Sequence, residues 1–97
     1  MATFIVLGNF TEQGIRSIKE SPKRADAFKA LAAKAGVKVK DIYWTLGHYD
    51  IVTIVEAPDA ATATSLGLAV ASLGNLRTET LTAFSAAEIG GILGKMP

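Results

Sequence analysis

The run Thr3-Phe4-Ile5-Val6-Leu7 limits what this chain can become more than any other stretch. With Gly8, Asn9 and Phe10 it reads as a strand over Thr3–Phe10. Successive strand side chains point to opposite faces. Phe4 and Val6 therefore share one face, and Ile5 and Leu7 share the other. Both faces are apolar, which marks a central strand covered on both sides. Whatever fold the chain adopts must supply two covers.

The segments that follow supply one. Thr11 offers an N-cap, with Glu12 in the first turn, for a short helix through Ile15 and Ile18 that stops before Pro22. Ser21 and Pro22 read as N-cap and N1 of a second helix. Its inner stripe is Ala25, Phe28, Leu31, Ala32 and Ala35, with Gly36 at its end. Two strands, Val39–Leu46 and Asp50–Ala57, flank a turn in which Gly47 supplies positive φ. A two-residue His48-Tyr49 loop would force φ > 0 on bulky side chains, so a three-residue Gly-His-Tyr loop, or a turn built on Gly47, is expected. Pro58-Asp59 opens a third helix with Ala63, Leu66, Val70 and Leu73 inward, closed by Gly74. Arg77–Phe84 is a fourth strand. Ser85 and Glu88 match a capping box before a weakly amphipathic tail of Ile89, Ile92, Leu93 and Met96.

Strand, helix, hairpin, helix, strand is the ferredoxin-like βαββαβ pattern: an α+β fold with a four-stranded antiparallel sheet and both helices on one face. The other face carries Ile5 and Leu7, or Phe4 and Val6, plus apolar groups from the hairpin. Leaving four or five such side chains in water forgoes roughly 6–15 kcal/mol, against about 5–15 kcal/mol for the whole stability of a small domain. A second copy of the sheet is the simplest cover, giving a face-to-face homodimer of the dimeric α+β barrel type. Dimers could associate further through the Ala-rich third helix, for example as a trimer of dimers.

At 97 residues the chain is expected to be one domain. Its net charge of +1 argues against a nucleic-acid partner, which needs a basic stripe. It has no cysteine, and no leader or membrane span is read, so a cytoplasmic home and no membrane partner are expected. There is no phosphate loop, nucleophile elbow or zinc spacing, and neither a cofactor nor a metal is expected.

Three motifs carry a family resemblance: Gly47-His48-Tyr49-Asp50-Ile51-Val52, Glu56-Ala57-Pro58-Asp59 and Gly74-Asn75-Leu76-Arg77-Thr78-Glu79-Thr80-Leu81. With Thr11-Glu12-Gln13-Gly14 and Ser21-Pro22-Lys23-Arg24 they span nearly the whole chain, which resembles the GYD-domain family. His48 is an insertion in the Gly-x-Tyr-Asp turn. The resemblance implies a dimeric α+β barrel and no established activity. The same hairpin is similar to one in the effector-binding domain of leucine-responsive regulators, where it borders a small-molecule site between subunits.

The candidate site residues are Tyr43, His48, Tyr49, Asp50, Arg77 and Glu79. His48 would act as a general base or a metal ligand, or sit as an idle turn residue. Asp50 would hold a ligand ammonium, or accept backbone N–H groups and pin the turn. Tyr49 would donate into a cleft or pack on the sheet edge. Tyr43, opposite in phase to Ile42, Trp44 and Leu46, contacts a ligand if its face lines the sheet-to-sheet space. Trp44 reads as packing. Arg77 and Glu79 would recognise a polar ligand or pair with each other. Lys34, Lys38 and Lys40 read as a solvated edge. The function expected is a homo-oligomeric binding or assembly module with a small apolar or amino-acid-like ligand near the sheet-to-sheet interface. The alternative is a cofactor-independent enzyme, oxygenase- or isomerase-like, using His48, Tyr49 or Tyr43 as acid or base.

Overall fold

A computed structural model describes residues 1–97. Its elements are β1 (Ala2–Phe10), α1 (Glu12–Arg16), a 3-10 turn (Ile18–Glu20), α2 (Ser21–Lys34), β2 (Lys38–Trp44), β3 (Ile51–Ala57), α3 (Ala60–Ala71), β4 (Leu76–Ala83) and α4 (Ala86–Leu93). The sheet is antiparallel in the order β2-β3-β1-β4, so the doubly apolar β1 is central as its composition requires. This is the ferredoxin-like arrangement, with α2 and α3 packed on one face of the sheet.

The ends of the helices follow from local chemistry. Thr11 caps α1 by accepting the Gly14 N–H, and Asp59 caps α3 by accepting the Thr62 N–H at 2.7 Å. Ser85 and Glu88 form the expected capping box. At the end of α2 the Val37 N–H donates to Ala32 O and the Gly36 N–H to Ala33 O, with Gly36 at φ +76°. That is a Schellman closure. It also drives Val37 and Ala32 into the core cluster with Phe4, Val55, Ala57, Ala63 and Leu66.

Three local expectations change. Ser21 is not an N-cap: Glu20 precedes α2 without a side-chain cap. The buried Ser21 Oγ instead accepts the Trp44 indole N–H at 2.9 Å, because a half-buried indole must find an acceptor. The hairpin loop is longer than three residues. Thr45 N–H donates to Asp50 O, leaving Leu46-Gly47-His48-Tyr49 between paired residues. Leu46, expected in a strand, is fully exposed in that loop. Finally, β2 shifts register between Val39 and Asp41. This bulge re-phases the strand, so that Val39 packs on the core and Ile42 also turns to the helices although three positions separate them.

Gly47 has φ +105°, and a Cβ there would meet nothing within 4 Å. The constraint is therefore backbone alone. Gly47→Val should cost about 1–3 kcal/mol, read as a lower melting temperature. An unchanged melt would contradict the turn assignment.

The second face of the sheet is uncovered. Ile5 and Leu7 of β1 oppose Ile54 and Val52 of β3, and on the other side they oppose Leu81 and Glu79 of β4. Ile5, Leu7, Val52 and Ile54 are half-buried by one another, while Leu81 is 41% and Tyr43 54% exposed. The shortest dimension of the molecule is 19 Å, the thickness of one sheet plus one helical layer. The α4 segment buries none of its residues and leaves Ile89, Ile92 and Leu93 partly in solvent. Because the sheet residues already shield each other, covering them would gain about half of full burial, about 3–7 kcal/mol.

Candidate functional site

Two regions can hold something: the rim of the open sheet face, and a gap between the sheet and its helices. At the rim, the hairpin is tied to the body through Asp50. Its N–H donates to Gly8 O at 2.8 Å, and its Oδ2 accepts the Phe10 N–H at 2.9 Å. The carboxylate thus does what the simpler reading assigned: it satisfies a strand-end donor and fixes the hairpin on β1. Asp50→Ala should cost about 1–3 kcal/mol by leaving that N–H without its partner. Asp50→Asn, which keeps an acceptor, should recover most of the loss in a urea titration. Equal loss in both would contradict the pinning role.

Tyr49 and Glu79 meet here. The phenol donates to Glu79 Oε2 at 2.8 Å. The hydrogen bond to Glu79, and then its negative charge, hold the phenol above its ordinary pKa. A raised pKa favours the neutral phenol in the folded chain. The contribution to stability is therefore complete below the unfolded phenol value near 10, and is lost as pH rises through the folded value. In an ultraviolet difference titration Glu79→Gln should let Tyr49 ionise at lower pH than it does in the wild type, and an unchanged Tyr49 transition would contradict the pairing.

The other candidates are more dispersed. Glu79 bonds to Tyr49 rather than pairing with Arg77, which opposes Asn9 one row further along the same face. Tyr43 opposes Val52, Val52 opposes Leu7, and Leu7 opposes Glu79. Three inter-strand spacings, about 14 Å, therefore separate the Tyr43 and Glu79 backbones. His48 is exposed in the loop. Within one protomer the six residues frame an apolar face and do not converge on a point. Lys40 reaches Glu56 at 3.9 Å near the opposite end of that face. No three His, Cys, Asp or Glu side chains come together as a metal site needs.

The second region lies on the helix side of the sheet. A cavity of about 350 Å³ separates α2 and α3 from the half of the sheet that begins at Val6. Gly8, Ile51 and Thr53 form part of its floor; Phe28, Leu66 and Val70 belong to its helical wall. A closed empty void of this size would cost on the order of 8 kcal/mol; opening to solvent between the helices lowers that cost. The sequence stripes identified most of these residues as core. They did not reveal the gap, because periodicity tells which way a residue faces and not whether it touches its opposite. The available signal was the small residues: Gly8 in the central strand, with Ala25 and Gly67 on the two helices.

Together the fold and its open face define a ferredoxin-like α+β protein with one apolar sheet face left bare. The GYD-domain profile matches residues 4–93, and the chain belongs to the GYD-domain family. It is also 40% identical over 90 residues to the glutamine synthetase and cystathionine beta-lyase binding protein of Thermus thermophilus, covering 92% of this chain and 95% of that one. The comparison with solved structures found no match. No helix of the chain is long and apolar enough to cross a membrane.

Proposed function

We propose that this chain is a homodimeric binding module that engages an enzyme as its partner, its two copies joined through their open sheet faces. The observation that carries the partner is the 40% identity, end to end, with a protein named for binding glutamine synthetase and cystathionine beta-lyase. The dimer rests on Ile5, Leu7, Val52, Ile54 and Leu81, a contiguous apolar patch whose covering is worth a large part of a small domain's stability. The apolar side of α4 extends the surface available to the second copy. Exposed Leu68 on the Ala-rich α3 offers a contact for a higher assembly such as a trimer of dimers. In the dimer Tyr43, Tyr49, Glu79 and Arg77 border the space between sheets, with His48 and Asp50 in the adjoining hairpin. They would contact a small apolar or amino-acid-like ligand held there.

The Tyr49–Glu79 hydrogen bond supports a second reading, a cofactor-independent enzyme in which that pair moves a proton. A phenol pushed above its ordinary pKa is a poor acid near neutrality, which favours binding over catalysis.

The test is direct. The purified protein is mixed with the glutamine synthetase and the cystathionine β-lyase of its own cell and followed by sedimentation velocity. Co-migration with either enzyme is expected. Independent sedimentation of both at concentrations up to about 100 μM would overturn the enzyme-partner reading.

A further inference from the structure

We propose that the cavity between the helices and the sheet is a binding site for a small apolar carboxylic acid. It lies on the opposite face of the sheet from the dimer surface, and it goes beyond the function argued above. Its volume of about 350 Å³ falls in the range of small-molecule pockets. Its lining is dominated by aliphatic and aromatic side chains, among them Phe10, Phe28, Ile51, Leu66 and Val70. Such walls cannot supply the two to four polar partners each ordered water needs, so an apolar occupant is better matched than solvent.

The charge of the occupant follows from Arg24, the one ionisable residue in the lining. Arg24 is half-buried and in no ion pair, and the only side-chain hydrogen bond it makes goes to the Ser17 carbonyl. A guanidinium presents five N–H donors in a planar fork suited to a carboxylate. The other polar groups are already engaged or weak: Ser21 accepts from Trp44, and Asn75 accepts from Gln13. An apolar body with a single acidic head fits this distribution. A polar or cationic ligand does not.

Gly67 makes the site testable without unfolding the protein. It lines the cavity from α3, and a Cβ built there meets nothing within 4 Å. Gly67→Leu fills the space and replaces a helix-interior glycine, so it should raise the melting temperature. Decanoate and the neutral decanol serve as probes in isothermal titration of the full chain. Decanoate should bind wild type at least about tenfold tighter than decanol does, a difference of about 1.4 kcal/mol. Arg24→Gln should remove that difference, with only a small fall in the ligand-free melt from the lost bond to the Ser17 carbonyl. Gly67→Leu should abolish binding of both probes. Decanoate binding that survives Gly67→Leu would put the ligand elsewhere, the open sheet face included, and overturn the site. Equal affinity for acid and alcohol in wild type would overturn the assignment of the head group.

Discussion

Gly14→Ala will lower the melting temperature by about 12–24 °C. In an ordinary helix this change is favourable by up to about 1 kcal/mol. Here a Cβ would stand 2.1 Å from the Asn75 carbonyl oxygen and 2.9 Å from its carbon, both backbone atoms that cannot rotate aside. Relief requires the Gly74-Asn75 segment to retreat. That segment holds the start of α1: Thr11 N–H donates to Asn75 O, the Thr11 hydroxyl to Gly74 O, and Gln13 Nε2 to Leu73 O and Asn75 Oδ1. Losing several such bonds at about 1 kcal/mol each outweighs the helical gain, and about 3 kcal/mol of net destabilisation follows. Gly67→Ala is the matched control, the same chemical change into open space, and should stabilise. Equal melts for wild type and Gly14→Ala would contradict the close approach. The prediction also gives a physical reason for two stretches that carry the family resemblance, Thr11–Gly14 and the segment beginning at Gly74: they are the two halves of one joint.

If the proposed dimer forms through the open face, Ile54→Asp will separate it and leave the protomer folded. Ile54 sits mid-strand on β3, opposite Ile5, in the middle of the open face. In a two-fold interface one substitution acts twice. Each buried carboxylate without a partner costs several kcal/mol, so the dissociation constant should rise at least about a thousandfold. In the separated protomer the same carboxylate is half in water, and the fold loses only about 1 kcal/mol of strand preference. Circular dichroism should therefore show an intact secondary structure, and sedimentation the mass of a single chain. Thr80→Asp, exposed on the other face of β4, is the control and should leave the assembly unchanged.

Much of the fold was legible because single residues carried decisive constraints. The doubly apolar β1 required a central place in the sheet, which it has. Gly47 required a turn with positive φ, and Asp50 at the mouth of that turn had an obvious use as a backbone acceptor. What escaped depended on partners distant in the chain. Ser21 before Pro22 has the composition of an N-cap, and only the Trp44 indole reveals why its hydroxyl is committed elsewhere. The bulge at Lys40 and Asp41 is silent because both residues are polar and alternation there carries no signal. The loop length depended on Asp50 pairing with Thr45 and anchoring to Gly8 and Phe10. The candidate site divided in the same way. Tyr49 and Glu79, far apart in sequence, do meet, whereas Tyr43 lies on the opposite edge strand of the same face. The helix-side cavity and Arg24 were not foreseen at all, since apolar spacing predicts orientation and not contact.

The central claim is that this sheet needs a second chain to cover its bare side, and sedimentation equilibrium on the wild-type protein tests it most directly. At about 10 μM the mass should be twice that of the chain, or an even multiple of it. A folded species with the mass of a single chain at that concentration would contradict the claim.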